Sequence, residues 1–393
     1  VTPPACFRGQ NRLALAILLG LCGCTQPPPA APAPPSFIQA SFQDLPGWPN
    51  DPLAEALPAL KLQCRRLALL PLDTALGGEG LARTYGGRAG NWADACAALR
   101  ALPDGADLHA YVQHWFQPYR IDAPALVTGY FEPILAGALT RGGLYQTPVL
   151  ARPADLAQSK TLDDQGRPIV GRDVEGLIQP YPTRREIEAG ALGALAHPIA
   201  WLASPEDLFF AQIQGSARVR LAGGGMLRLA FDGRNGRPYT PIGRVLVAQH
   251  ALAQDQVTMQ SIRAWLDGHP AQAQSVMDQN ESYVFFKAIP DPDPTLGPEG
   301  ALGVALTAGR SAAVDKTVVP LASPVFVATT IPDGRAWRHL VLAQDLGSAI
   351  TGQARIDIFL GVGPDAADWA GKMHQAGTLW LLLPRPAAAG PAS

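Results

Sequence analysis

The stretch that decides the fold runs Gln344-Asp345-Leu346-Gly347-Ser348-Ala349-Ile350-Thr351-Gly352 and continues to Arg355-Ile356-Asp357-Ile358-Phe359. Two carboxylates bracket a Gly-bearing loop, and the second, Asp357, stands inside an apolar strand pattern. A carboxylate among Ile356, Ile358 and Phe359 is costly unless it is paired or partly solvated. Burial raises its pKa, which suits a general acid that must stay protonated near neutral pH. Upstream, Ala313-Val314-Asp315, followed by Val318-Val319-Pro320-Leu321, sets a third aspartate before a strand.

Outward from this stretch the chain keeps the same character. Short alternating or apolar runs with Gly turns occupy 125–135, 144–152, 208–224, 225–233, 237–247, 282–289, 300–306, 323–331, 338–346, 355–362 and 378–383. Such runs read as strands. Gly223-Gly224-Gly225 is the expected tip of a hairpin between two runs in which apolar and basic residues alternate. Residues 51 to about 120 read as helix-rich instead, through Leu53, Leu57, Leu60, Leu67 and Leu70, the run 91–102 and the run 109–121. Residues 252–279 turn helical again, with Ile262, Trp265 and Leu266 on one face. The expectation is a mainly β protein: a C-terminal barrel, a helical part before it, and a second β-domain between about 140 and 270.

Composition bounds the function. The 393 residues are 47% hydrophobic and 16% charged, which fits a folded chain with one large core or two smaller ones. A formal net charge of −2 offers no basic stripe for nucleic acid. The 7 histidines are scattered, and no Cys/His cluster has metal-ligand spacing, so neither a metal nor another cofactor is expected. Cys64 and Cys96 lie on helix-like patterns. An exported compartment permits a disulfide between them, but spacing alone leaves two buried free thiols equally open.

The N-terminus carries a targeting signal. Arg8 and Arg12 precede an apolar run from Leu13 to Leu21, too short for a membrane span of about 20 residues. Leu21-Cys22-Gly23-Cys24 fits a lipobox, which makes Cys24 the expected site of lipidation; an ordinary cleaved signal is the alternative. Thr25 follows where an inner-membrane retention signal would carry Asp, so the expected location is the periplasmic face of the outer membrane. Val1 is expected to reflect a start codon other than ATG. Residues 25–36 form a Pro-rich tether of polyproline type, reaching about 3 Å per residue. Residues 385–393 read as a disordered tail.

The aspartate stretch and several ordered motifs together resemble the membrane-bound lytic transglycosylase A (MltA) family. The three aspartates of that family's 3D domain match Asp315, Asp345 and Asp357. Further matches are Thr128-Gly129-Tyr130-Phe131-Glu132-Pro133, Tyr181-Pro182-Thr183-Arg184-Arg185-Glu186-Ile187 and Phe210-Ala211-Gln212-Ile213-Gln214-Gly215-Ser216. Others are Tyr239-Thr240-Pro241-Ile242-Gly243, Asn280-Glu281-Ser282-Tyr283-Val284-Phe285-Phe286 and Gly300-Ala301-Leu302-Gly303-Val304. The resemblance spans about 123–383. It implies a double-psi β-barrel formed by 37–140 and 271–384, helical segment included. An inserted β-domain, 141–270, would make the other wall of a glycan groove. It also implies that Asp357 is catalytic, that peptidoglycan glycan strands are the substrate, and that other cell-wall enzymes are admissible partners.

The implied reaction breaks the bond between N-acetylmuramic acid and N-acetylglucosamine without water. Asp357 would act as acid and then as base, leaving a 1,6-anhydro end. Asp345 has two readings, setting the charge on Asp357 or bonding backbone amides of its own Gly347 loop. Asp315 reads as a turn or cap residue. Tyr130, Phe131 and Glu132 are candidates for a sugar-stacking face and a hydrogen-bonding carboxylate, with core packing the alternative for Phe131. Gln212, Gln214 and Ser216 are read as alternating along one strand and so sharing a groove face, or a plain solvent face. Thr183 with Glu186 has capping-box spacing, so a short helix is expected there, with Arg184 and Arg185 solvated. Two rivals remain: an inverting hydrolase with Asp345 or Glu132 as second carboxylate, and a non-catalytic peptidoglycan-binding lipoprotein.

Overall fold

A computed structural model describes residues 36–162, 168–290, 293–347 and 349–386. The expected signal peptide, Cys24, the tether before Ser36 and the tail beyond Pro386 lie outside the described residues.

Six strands close into a barrel. Around it run His374–Pro384, Pro324–Thr330, Ala336–Leu346, Ser311–Val314, Arg355–Val362 and Ala125–Glu132, and the last pairs back to the first. Two pairings are parallel: Ser311–Val314 with Ala336–Leu346, and Arg355–Val362 with Ala125–Glu132. This is the mainly β barrel expected from the resemblance. Phe37–Gln39 and Phe116–Ile121 extend the sheet beyond His374–Pro384.

Several barrel strands are buried on both faces. Val325, Val327, Val341, Ala343, Leu379 and Leu381 point inward with Val127, Ile356 and Ile358. Their neighbours Phe326, Leu340, Leu342, Trp380 and Leu382 point outward, against Trp48, Leu60, Trp92 and Leu99 of the helical layer. Burial of alternate residues on opposite faces explains why these stretches read as continuous apolar runs. The helical layer contains Leu57–Leu67, Gly80–Tyr85, Ala93–Ala101 and Leu108–Trp115. Cys64 and Cys96 join its first and third helices in a disulfide, with Cα atoms 5.2 Å apart.

The chain leaves the barrel after Glu132 and forms a six-stranded sheet. Its order is Val284–Pro290, Met226–Arg234, Ser216–Leu221, Ile134–Ala138, Pro198–Leu202, Thr147–Leu150. The sheet therefore takes in strands on both sides of the expected 141–270. A smaller sheet joins Leu156–Leu162, Pro168–Val174 and Leu177–Gln179. The hairpin at Gly223–Gly225 forms as expected: Ser216–Leu221 and Met226–Arg234 pair antiparallel, and Leu221 N–H donates to Gly225 O.

Four expectations are corrected. The helix beginning after the Asp107 cap stops at Trp115, and Phe116–Ile121 is a strand. Pro118 disfavours helix in the residue before it, and the segment pairs on both edges. Residues 242–248 are helical despite Val245 and Val247, because Ile242 and Leu246, four apart, share a face buried against Phe209, Phe210 and Leu266. Residues 300–306 form turns, with Gly300 N–H bonded to Val304 O and Gly303 at φ +79°. Arg385 does not belong to a free tail: its N–H donates to Trp115 O at 2.9 Å and its guanidinium to Gln117.

Candidate active site

Sheet register assembles the site. Thr128 lies opposite Asp357, Asp357 opposite Ala313, and Ala313 opposite Asp345, one row across four strands. Residues in such a row share a face of the sheet. A register shift between Ala312 and Ala313 makes this possible: Ala312 pairs with Ala343, yet Ala313 pairs with Asp345. The bulge passes over Gln344, whose side chain instead meets Ser311, Gln63 and the Ala59 carbonyl in a buried network. Asp345 is thereby aimed toward Asp357, with only the small Ala313 between them.

Asp357 is partly exposed yet closely surrounded. Thr128 Oγ1 donates to its Oδ1 at 2.6 Å. That bond fixes the carboxyl rotamer through one oxygen and leaves Oδ2 without a protein donor among the described residues. Burial raises the Asp357 carboxyl to about 6, against the lowering effects of the Thr128 bond and the Arg355 charge; the Asp345 charge adds to the rise. Arg355, two residues away on the same strand, projects to the same face.

Asp345 is fully engaged. It accepts from Tyr130 OH at 2.8 Å, Ala301 N–H at 2.9 Å and its own Leu346 N–H at 2.9 Å. Burial raises its pKa against those three bonds. Both readings of Asp345 thus have a physical basis, but the amides belong to Ala301 and Leu346 and not to the Gly347 loop. The Tyr130 phenol is pushed well above its ordinary range by burial and by the two carboxylates, so it remains a donor. Its ring packs on Phe359 at 5.4 Å, in an apolar cluster with Leu306, Ala313 and Ile350. Asp315 lies elsewhere, as a turn residue accepting from Thr317 N–H and Oγ1 and from Gly352 N–H.

The candidates for glycan contact fare differently from expectation. Glu132 is 0% exposed. Its Oε1 accepts from Arg228 Nε at 2.7 Å and its Oε2 from Arg218 Nε at 2.7 Å, while both guanidiniums also reach the Leu296 carbonyl. It ties barrel to insert and cannot face a sugar. Phe131 packs with Ala366 and Ala370, in the core. Gln212 and Gln214 are helical, because Ser204 caps the helix Pro205–Gln214, Pro205 starts it and Gly215 at φ +80° ends it. Only Ser216 begins a strand, and it is buried. Gln212 bonds Arg184 and the Val284 carbonyl, and Gln214 accepts from Phe131 N–H. Of the expected groove residues, Tyr130 alone stands beside Asp357.

The capping box at Thr183 and Glu186 forms, yet Arg184 is not solvated. It is 1% exposed, lying over the rings of Phe209 and Tyr283 and bonded to the Asn280 and Ser282 carbonyls. Sequence reading assigned no role to Thr128, Ala313 or Arg355. Only the Arg355-x-Asp357 spacing carried a local signal; Thr128 is 229 residues from its partner.

Known proteins are similar to this chain in sequence and fold. A family profile described as MltA specific insert domain matches residues 126–287, and one described as 3D domain matches residues 310–383. The chain is 31% identical over 269 residues to the Escherichia coli (strain K12) protein named membrane-bound lytic murein transglycosylase A. That alignment covers 66% of each chain, so it spans just under two thirds of that protein's length. Among solved structures, a membrane-bound lytic murein transglycosylase from Agrobacterium tumefaciens superposes with a TM-score of 0.78 at 32% identity, over 89% of this chain and 98% of that one. MltA from Neisseria gonorrhoeae gives a TM-score of 0.72 at 29% identity, over 90% and 93%.

Proposed function

The chain belongs to the MltA family, and from that premise we propose that it is a peptidoglycan lytic transglycosylase in which Asp357 is the sole acid and base. The observation that carries this reading is one half-enclosed carboxyl, raised to about 6 and held by Thr128 through a single oxygen. Protonated Asp357 donates from Oδ2 to the glycosidic oxygen between N-acetylmuramic acid and N-acetylglucosamine, and the leaving sugar departs with that proton. Positive charge then develops at C1 of the muramic sugar, in an oxocarbenium-like transition state that the new carboxylate stabilises. The carboxylate takes the proton of the same sugar's C6 hydroxyl, whose oxygen bonds to C1 and closes the 1,6-anhydro ring. Asp357 ends protonated, no water is consumed, and the cycle can repeat.

An inverting hydrolase needs a second carboxylate free to activate water across the cleft. Glu132 is sealed between two arginines, and Asp345 has both oxygens engaged. Neither offers a free base. Lipidation at Cys24 and residence at the periplasmic face of the outer membrane complete the proposal, in keeping with the relatives' membrane-bound names. The test is mass spectrometry of muropeptides released from purified sacculi by wild type and by Asp357→Asn. Anhydro-muropeptides from wild type alone support the reading; reducing ends from wild type, or undiminished release by the variant, overturn it.

A further inference from the structure

The helix Leu57–Leu67 lies outside the barrel, yet its polar contacts end at the scaffold of the site. Ala59, Gln63 and Arg66, spaced i, i+4 and i+7, line one face of it. Gln63 is 1% exposed within an otherwise apolar layer. Its amide donates to Ala322 O at 3.1 Å and accepts from Gln344 Nε2 at 3.3 Å, and Gln344 Nε2 also donates to Ala59 O at 3.0 Å. Gln344 Oε1 accepts from the Ser311 hydroxyl at 2.6 Å. The bulge residue beside Asp345 is therefore held by the helix on one side and by a barrel strand on the other.

Arg66 reaches a second support of Asp345. Its Nε donates to Leu302 O at 3.1 Å. Leu302 belongs to the turn 300–304, in which Ala301 N–H donates to Asp345 Oδ1 and Leu302 N–H donates to Gln344 O. The fit leaves no slack: a Cβ at Gly300 would lie 2.6 Å from Gln344 O, and one at Gly303 would lie 2.9 Å from Arg66 Nε. Leu302 and Val304 pack in one cluster with Leu60, Cys64 and Leu67 of the helix. The Cys64–Cys96 disulfide falls between Gln63 and Arg66 in sequence and ties this stretch to the helix Ala93–Ala101.

A buried amide network adds little net stability over apolar side chains of the same shape; what it adds is a unique arrangement. Here that arrangement is the bulge and turn that set Asp345 in one row with Ala313 and Asp357. Tyr130 extends the link, since it bonds Asp345 from the same strand on which Thr128 bonds Asp357. We propose that Gln63 and Arg66 are positioning residues for the reaction: from outside the barrel they hold Asp345, and through it the acid Asp357, in place. This rests on the reading of Asp357 given above.

The test compares kcat against pH on isolated glycan strands for the full chain, Gln63→Leu, Arg66→Met, Asp345→Asn and the two double variants. Loss of the Ala301 bond raises the Asp345 pKa, so Asp345 gives up the charge that raises Asp357, and the high-pH limb should move down by about half a unit. Tyr130, Arg355 and Tyr239, the other titratable groups acting on the two carboxyls, are untouched by the substitutions. Removing the Arg66 charge by itself would move the limb up, so a downward shift reports position and not charge. In the Asp345→Asn background both substitutions should leave the limb where Asp345→Asn alone puts it. A merely structural role would lower the unfolding midpoint and leave the limb unmoved. A limb unmoved or moved up, or a downward shift that adds in full to that of Asp345→Asn, overturns the proposal. Should Gln63→Leu fail to fold, Arg66→Met decides alone, since Arg66 is only half-buried. Failure of the Asp357 reading looks different, since Asp357→Asn would then still release anhydro products.

Discussion

The raised pKa that the proposed chemistry needs of Asp357 is a cost to the fold. Its folded pKa, about 6, lies above its ordinary 3.8. Below 3.8 both folded and unfolded chains hold the proton and the group is neutral to stability. As pH rises from 3.8 toward 6 the unfolded chain ionises first, so stability falls; above about 6 the penalty is complete. Asp357→Asn should therefore raise stability at pH 8 by on the order of 2 kcal/mol and leave it unchanged at about pH 3, as read by denaturant unfolding at the two pH values. In the proposed reaction the same proton controls turnover. Activity should decline as pH rises through about 6, because only the protonated form can donate. Two neighbours should move that limb in opposite directions. Asp345→Asn removes a charge that raises the Asp357 pKa, so the limb shifts to lower pH. Thr128→Val removes a bond that lowers it, so the limb shifts to higher pH. Thr128→Val should also cost roughly ten- to a hundred-fold in kcat through lost orientation. Profiles of kcat against pH for both variants test this pair.

At the scale of elements, the barrel strand Ala125–Glu132 does three things along its length. Thr128 donates to Asp357, Tyr130 donates to Asp345, and Glu132 locks the strand end to Arg218 and Arg228 of the insert. Successive even-numbered residues share one face, which is why a single strand serves all three. The Glu132 pair is a buried charge cluster, and breaking such a cluster leaves unpaired cations. Glu132→Gln should destabilise by about 3–5 kcal/mol in equilibrium unfolding, because two guanidiniums lose their counter-charge. The correct strand register was not legible in advance. Its alternation was visible, but Glu132 looked like a groove residue because nothing local announces two arginines 86 and 96 positions away. The helix Pro205–Gln214 was misread for a different reason. Phe209, Phe210 and Ala211 form a buried run that suits a strand, and the deciding features were the Ser204 cap, Pro205 and Gly215 at its ends.

At the scale of the molecule, the barrel is closed by a strand from before the insert. Arg355–Val362 pairs on one side with Ser311–Val314 and on the other with Ala125–Glu132, which also pairs with His374–Pro384. A fragment covering 293–386 alone should therefore fail to fold, presenting two open strand edges and an exposed apolar interior. Adding the 36–133 segment in trans should restore folded dispersion in its amide NMR spectrum; a fragment already folded alone would refute this view of closure.

What the sequence determined by itself is chemical and local. It showed a carboxylate set in an apolar strand, the motifs of a mainly β fold, the helical layer, the Gly223–Gly225 hairpin and the capping box at Thr183. Each depends on residues a few positions apart, whose period or turn chemistry is written in the chain. Only the tertiary structure decided the rest: the Cys64–Cys96 disulfide, the row Thr128, Asp357, Ala313, Asp345, and the sealing of Glu132, Gln212 and Ser216 away from any groove. These depend on register between strands far apart in sequence. A shift of one residue there sends a side chain to the opposite face, and a single bulge beside Ala313 turned Asp345 toward Asp357 and Gln344 away from it.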